Sequence, residues 1–313
     1  MATAFTFPGQ GSQAVGMGKA LAGASATAKA VFDEVDEALG EKLSIVMFDG
    51  PEETLTMTVN AQPALMAVSV ALVRVLAERG FDLKSKVAYV AGHSLGEYSA
   101  LAAAGTFSLA DTARLLRIRG NAMQKAVPAG QGAMAAIIGL EHPDVQAACE
   151  AAAQGEVCQI ANDNGGGQLV ISGSKGAVER AAAIATEKGA KRAIMLPVSA
   201  PFHSALMAPA ADAMRDALAT VTKNSPIVPV VSNVTVTPTT DANEISSRLV
   251  QQVTGQVRWR ETVEWFAAHG VTNLVEIGSG KVLTGLARRI SKDVSGTAIN
   301  SIEDIDAFLA ASA

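Results

Sequence analysis

The chain has 313 residues, 49 % hydrophobic and 18 % charged, which suffices for a large core and, by length, about two domains. A formal net charge of −5 and a pI near 5.5 leave no basic excess to neutralise phosphates, so a nucleic-acid binder is excluded. Two cysteines, Cys149 and Cys158, show neither metal-site spacing nor a disulfide framework, and with four histidines there is no Cys-x-x-Cys or His-Glu-x-x-His. Both cysteines are expected as small buried residues, and no metal or other cofactor is expected. The N-terminus MATAFTFPGQ has no basic n-region or long apolar h-region, and the longest apolar stretch, Ala64–Val73, is too short to span a bilayer. These features predict a cytoplasmic protein without a membrane partner, and a monomer is expected.

Thr3–Phe7 reads as a first strand running into Pro8-Gly9-Gln10-Gly11-Ser12-Gln13. The loop is glycine-rich, yet it lacks Gly-x4-Gly-Lys-Ser/Thr, and Gly-x-Gly-x-x-Gly breaks at Ala14. What remains is a polar side chain, Gln10, carried off the end of a strand, where ligands sit in open parallel sheets. Ala28–Leu39 and Pro63–Arg79 are helical by spacing, the second with proline placed in its first turn.

Val87–Ala91 is a β-branched apolar run that enters Gly92-His93-Ser94-Leu95-Gly96, and Glu97–Ala104 follows as a helix. Strand, Gly-x-Ser-x-Gly and helix in this order make a nucleophile elbow, whereas the five letters alone would also fit an ordinary βα turn. The glycines permit a tight turn that projects the Ser94 hydroxyl, and the helix N-terminus faces any oxyanion formed there.

Ser108 caps a helix from Leu109 to Val127. Counting about 100° per residue, Leu115, Leu116, Met123 and Ala113 share one arc, with Arg114 and Arg117 outside it and Arg119 inside. A guanidinium there must meet either a ligand anion or a buried carboxylate, and the wheel leaves both open.

Beyond the break at Pro128-Ala129-Gly130-Gln131-Gly132 the pattern changes. Ala133–Leu140, Val157–Ala161, Gln168–Gly173 and Ala193–Val198 read as strands, with helices at Pro143–Ala153 and Gly176–Lys188. This βαββαβ order is that of the ferredoxin-like split βαβ unit. It predicts a small domain over 129–197 inserted into a larger α/β domain formed by 1–128 and 198–313. Asn162-Asp163-Asn164-Gly165-Gly166-Gly167 is a turn by composition. Ser199-Ala200-Pro201-Phe202-His203-Ser204 then forms a loop where the two domains rejoin. Ile227–Ser232 and Thr272–Ile277 read as strands, with helices at Ile245–Val253, which holds Gln251 and Gln252, at Glu261–His269, and lastly at Gly280–Ile290.

A serine needs a base within hydrogen-bond reach. His142 sits at a helix start, His269 in a last turn, and His93 next to Ser94 on an elbow whose adjacent side chains diverge. His203, on the junction loop where clefts form, is left as the base, the alternative being a satisfied interdomain histidine. No acidic third member announces itself, so a neutral acceptor such as a backbone carbonyl could orient the imidazole.

FPGQGSQ, NAQPAL, GHSLGEYSAL, RIRG, GQLVISG, PVSAPFHSALM and VRWRETVEWF together cover essentially the whole chain. On these motifs the sequence resembles the malonyl-CoA:acyl-carrier-protein transacylases, acyltransferases that supply malonyl units to fatty-acid synthesis. The resemblance implies a hydrolase-like α/β core with a ferredoxin-like insert, malonyl-CoA and acyl carrier protein as partners, and an acyl ester on Ser94. It implies His203 as general base and later acid, the backbone N–H groups of Gln10 and Leu95 as the oxyanion hole, and Arg119 as a bidentate clamp on the malonyl carboxylate. It also implies that the Gln252 backbone carbonyl orients the imidazole and that Asn162 lines the cleft. A loader for polyketide synthesis, a serine thioesterase or hydrolase with the same nucleophile, and a non-catalytic carrier-docking module are the competing readings.

Overall fold

The structure is a computed structural model in which residues 2–198 and 200–312 are described. Ser199, the first residue of the expected junction loop, lies outside the described residues. Six strands form the larger sheet: β1 (Ala2–Phe7), β2 (Tyr89–Gly92), β7 (Val230–Val231), β8 (Pro238–Thr239), β9 (Val271–Ile277) and β10 (Ser295–Ile299). They lie in the order β10-β9-β1-β2-β7-β8, and every neighbouring pair is parallel except β7 with β8. Successive residues of these strands enter two different cores. Phe5, Val90 and Val275 pack on one face, Ala4, Ala91 and Leu274 on the other. Burial of both faces is why the strands read as continuous apolar runs rather than as alternation.

The other four strands, β3 (Gly132–Ile138), β4 (Cys158–Asp163), β5 (Gln168–Ser174) and β6 (Arg192–Met195), form an antiparallel sheet in the order β4-β5-β3-β6. That is the ferredoxin-like order. Ile137, Ile160 and Ile171 face the helices His142–Ala153 and Lys175–Glu187, whereas Met134, Ala161 and Val170 join the main core. One face of the small sheet is therefore spent on its own helices and the other on the larger body. Cys149 is buried, but Cys158 is only half-buried, and both are free thiols.

The chain departs from the sequence expectations in several places; Asn162 and Asp163, expected in a turn, are the last residues of β4. The long core helix starts at Thr58 and runs to Glu78, so Pro63 lies in its interior and not in its first turn. Proline removes the N–H that would bond Val59 O, and Arg117 Nη1 from the helix Leu109–Lys125 takes that carbonyl at 2.7 Å. With its full 21 residues this helix is long and apolar enough to cross a membrane, but 83 % of its apolar window is buried inside the protein. β6 ends at Met195 and β7 holds only two residues, both shorter than expected, since Pro197 and Pro229 cannot donate to a ladder. The helix Val282–Ile290 is not the last element, because β10 and the helix Ile302–Ser312 follow. The helix Ala208–Thr220 was not anticipated; its buried side consists mostly of alanines, which give little hydrophobic periodicity.

Candidate active site

β1 and β2 are neighbours, in register from Ala4 opposite Tyr89 to Phe7 opposite Gly92. Their C-terminal ends deliver Gln10 and Ser94 side by side. A Cβ on Gly92 would stand 1.9 Å from the carbonyl of Gly96, and one on Gly96 would stand 2.2 Å from Phe7 O, so both must be glycine for the turn to close. Ser94 itself holds φ at 53°, in the left-handed region that non-glycine residues seldom adopt. Asn233, just beyond β7, stabilises this conformation. Its Oδ1 accepts from Ser94 N at 2.8 Å and its Nδ2 donates to Gly92 O at 2.7 Å.

Ser94 Oγ lies 2.7 Å from His203 Nε2, and His203 is also left-handed, with φ 56°. The other ring nitrogen, Nδ1, faces two carbonyl oxygens, Gln252 O at 2.9 Å and Gly255 O at 3.2 Å. Carbonyls only accept, so Nδ1 carries the proton and Nε2 presents a lone pair to the Ser94 hydroxyl. Burial, then the nearby Arg119 guanidinium, holds His203 down to about 3, so the ring is neutral and competent as a base at any physiological pH.

Arg119 is 1 % exposed. Its Nη1 donates to Gln62 Oε1 at 2.7 Å, and its Nη2 donates to Gln252 Oε1 at 2.9 Å and to Ser94 Oγ at 3.2 Å. No carboxylate lies within 4.0 Å of it among the described residues, whereas Arg114 pairs with Asp111 and Arg117 with Glu41. Its buried Nε has no partner, and its guanidinium sits 5.6 Å from the Tyr98 ring centroid. Of the two alternatives left by the helical wheel, a direct structural ion pair is not what the structure contains.

A cavity of about 390 Å³ opens onto these groups, lined by Gln10, Leu95, Asn162, Met134, Val170 and Phe202 among others. Among the described residues, the backbone N–H groups of Gln10 and Leu95 have no intramolecular acceptor, and both are available to a ligand oxygen. The Gln10 side chain accepts from Thr58 Oγ1 at 2.8 Å, Thr58 accepts from Gln62, and Gln62 accepts from Arg119, so the two ends of the cavity share one hydrogen-bonded chain. Asn162 is 7 % exposed and bridges to Val257 at the seam between the sheets. His93 lines the cavity and bonds Asn164 Oδ1 at 2.9 Å, while His269 stacks on Trp265. His142 sits beside Gln256.

A serine hydroxyl on a neutral imidazole, two free N–H donors and a buried cation together suit attack on the carbonyl of an anionic acyl group. Residues 4–302 match the acyl transferase domain family. The chain belongs to that family. The acyltransferase is 50 % identical over 297 residues to the malonyl CoA-acyl carrier protein transacylase of Escherichia coli K12, covering 95 % of each chain. It is 63 % identical to the acyl-carrier-protein-S-malonyltransferase of Bartonella henselae, with a TM-score of 0.98 and 99 % of both chains covered. A malonyl-transacylase solved in complex with a type II PKS acyl-carrier protein is 45 % identical, with a TM-score of 0.96 over 99 % of this chain and 100 % of that one.

Four residues of the acyltransferase site escaped the sequence reading: Asn233, Gln62, Glu97 and Tyr98. Each left a signal. Gln62 interrupts an apolar run, Glu97 is the only charge in the helix Gly96–Ala103, and Asn233 follows a strand end as Gln10 and Ser94 do. Asn233→Ala leaves a buried N–H and a buried C=O unpaired and is expected to cost about 1–3 kcal/mol in denaturant unfolding. Acylation of Ser94 should slow by more than that loss explains, since the elbow conformation itself relaxes. An unchanged acylation rate at reduced stability would assign Asn233 to the fold alone.

Proposed function

We propose that the protein transfers the malonyl group from malonyl-CoA to the phosphopantetheine thiol of acyl carrier protein through a malonyl ester on Ser94, supplying fatty-acid elongation. One observation carries the reading: a buried guanidinium without a carboxylate partner stands 3.2 Å from the nucleophilic oxygen. An acyl group ending in a carboxylate supplies that partner, and Arg119 receives it with two parallel charge-assisted bonds. His203 takes the Ser94 proton and returns it to the departing coenzyme A sulfur, while Gln10 and Leu95 N–H groups hold the tetrahedral oxyanion. In the second half the carrier thiol gives its proton to His203 and attacks the ester carbonyl, and the departing Ser94 oxygen takes that proton back as the C–O bond breaks. The Gln252 carbonyl orients His203, and Asn162 contacts the acyl-bearing arm across the seam. Action as a monomer in the cytoplasm is part of the proposal. Residues 129–197 act as the small domain and 1–128 with 198–313 as the catalytic domain.

Wild-type protein mixed with malonyl-CoA alone should gain one malonyl mass on Ser94, read by intact mass spectrometry, and lose it when holo-carrier protein is added, with malonyl-carrier as product. Free malonate as the main product would identify a thioesterase instead.

The carrier is expected to dock by rim charges, because the enzyme itself is net negative. Two basic sets have no carboxylate partner within 4.0 Å among the described residues: Lys188, Lys191 and Arg192, or Lys281, Arg288, Arg289 and Lys292. The first set is favoured, since exposed Ile194 and Met195 adjoin it on the edge strand β6 and the chain continues as Leu196–Val198 into the cavity wall. KM for the carrier should rise more steeply with salt than KM for malonyl-CoA, measured between low and physiological ionic strength. Parallel salt responses for the two substrates would remove the rim-charge account.

A further inference from the structure

Glu97 is 2 % exposed, stands three residues after the nucleophile, and has no part in the transfer described above. Its Oε2 accepts from Gln252 Nε2 at 2.8 Å and from Asn233 N at 3.2 Å. The Gln252 amide can sit only one way round. Its Oε1 accepts from Arg119, which only donates, and its Nε2 faces three acceptors: Glu97, Ser94 O at 3.0 Å and Asn233 Oδ1 at 3.4 Å. One amide therefore links the buried guanidinium to the buried carboxyl. An isolated cation in such a site is costly, and the network places a single acid where it can offset it.

We propose that Glu97 is the counter-charge of Arg119 in the empty site and takes up one proton when the malonyl carboxylate pairs with that guanidinium. The inference rests on the reading that the malonyl carboxylate binds Arg119. Two carboxylates around one buried cation repel, and the one that can be neutralised gives way. The hydrogen-bond pattern tolerates this. With the proton on Oε1, Oε2 still accepts from Gln252 and Asn233, and the Ser232 hydroxyl that bonds this carboxyl can accept as readily as donate. Burial raises the Glu97 carboxyl to about 7, so the proton costs little near neutral pH. The titratable or charged groups that act on Glu97 are Arg119 from the helix Leu109–Lys125 and Tyr98 on its own helix; His203, with His93 beside it, shares the field of Arg119. The helix Thr58–Glu78, β1 and the segment after β7 present neutral buried groups, Gln62 and Ser69, Thr6, and Ser232 with Asn233; β2 carries Tyr89, and the helix Ala242–Thr254 carries Gln252 and the buried Arg248, which pairs with Glu244.

The chemical step is itself proton-neutral. The Ser94 hydrogen passes through His203 to the coenzyme A sulfur as the C–S bond breaks and the ester C–O bond forms, so the Glu97 proton comes from solvent in addition. The kcat/KM ratio for malonyl-CoA over acetyl-CoA cancels every titration that the two thioesters share. In wild type this ratio should fall by up to about tenfold per pH unit above 7, and in Glu97→Gln by less than about twofold across the same range. An indicator dye in weak buffer at alkaline pH should report about one more proton taken up per malonylated Ser94 than per acetylated Ser94, since the protons lost by the released coenzyme A thiol are common to both. A wild-type enzyme whose proton count is the same for malonylation and acetylation overturns the inference whatever the variant does. So does a Glu97→Gln variant with the wild-type fall in ratio. An Arg119→Ala enzyme with an unchanged malonyl-to-acetyl ratio overturns the carboxylate site and this inference with it. A collapsed Arg119→Ala ratio beside a pH-independent wild-type ratio overturns the role of Glu97 alone.

Discussion

Replacing Arg119 with Ala is expected to slow transfer from malonyl-CoA by roughly 10²–10³-fold or more, the equivalent of about 3–5 kcal/mol for breaking a buried pair. The guanidinium is fixed before substrate arrives, by Gln62 on one side and by Gln252 on the other. An acetyl group offers it nothing, and a site built around a polar contact rejects analogues that lack it more strongly than an apolar pocket rejects a missing methylene. The substitution should therefore act twice, weakening malonyl transfer and lifting the penalty on neutral acyl groups, so that the malonyl-to-acetyl ratio collapses. A third influence runs through the base. Arg119 is the second cause, after burial, of the low His203 pKa, and a bound carboxylate offsets that charge just where the base must work. Arg119→Lys keeps the charge without the planar fork and should fall between wild type and Ala. The measurement is kcat/KM for malonyl-CoA and acetyl-CoA in the three proteins. Equal slowing of both substrates would make Arg119 a structural residue.

The other large effect falls on the nucleophile and its base. Ser94→Ala should gain no acyl mass, and His203→Ala should acylate roughly 10²–10⁴-fold more slowly than wild type. What remains in His203→Ala comes from positioning and from the two N–H donors, which do not depend on the imidazole. The pH dependence is equally specific. A free-enzyme histidine near its ordinary value would give a limb around pH 6.5 in kcat/KM, but His203 is held to about 3 by burial and by Arg119. Its proton-accepting form thus persists as pH falls through the ordinary histidine range. With acetyl-CoA, where no carboxylate enters, kcat/KM should lack a histidine limb between about pH 5 and 8. A limb near 6.5 that vanishes in His203→Ala would show the ring to be solvated during catalysis. A full-rate adduct in Ser94→Ala would end the mechanism.

Much of this site is legible in the chain because its chemistry is carried by local geometry. The elbow is a strand, a tight turn and a helix within a few residues, and the glycines at 92 and 96 are demanded by contacts with Gly96 itself and with the neighbouring strand. The βαββαβ order is likewise a statement about consecutive elements, and the strand order β4-β5-β3-β6 follows from it. Arg119 stood out because a charge inside an apolar arc needs an explanation whatever the fold. Tertiary structure alone decided the rest, wherever a residue's meaning lies in a partner far along the chain. Pro63 could sit inside a helix only because Arg117, 58 residues away in the hydrogen bond to Val59, takes the orphaned carbonyl. Asn233 and Gln252 reach Ser94 across 139 and 158 residues, and both also hold the Glu97 carboxyl. A polar residue in a sequence shows only that it must be satisfied. Which groups satisfy it is set when the C-terminal ends of β1, β2 and β7 and the helix Ala242–Thr254 are brought together by burial of the apolar faces on either side of the sheet.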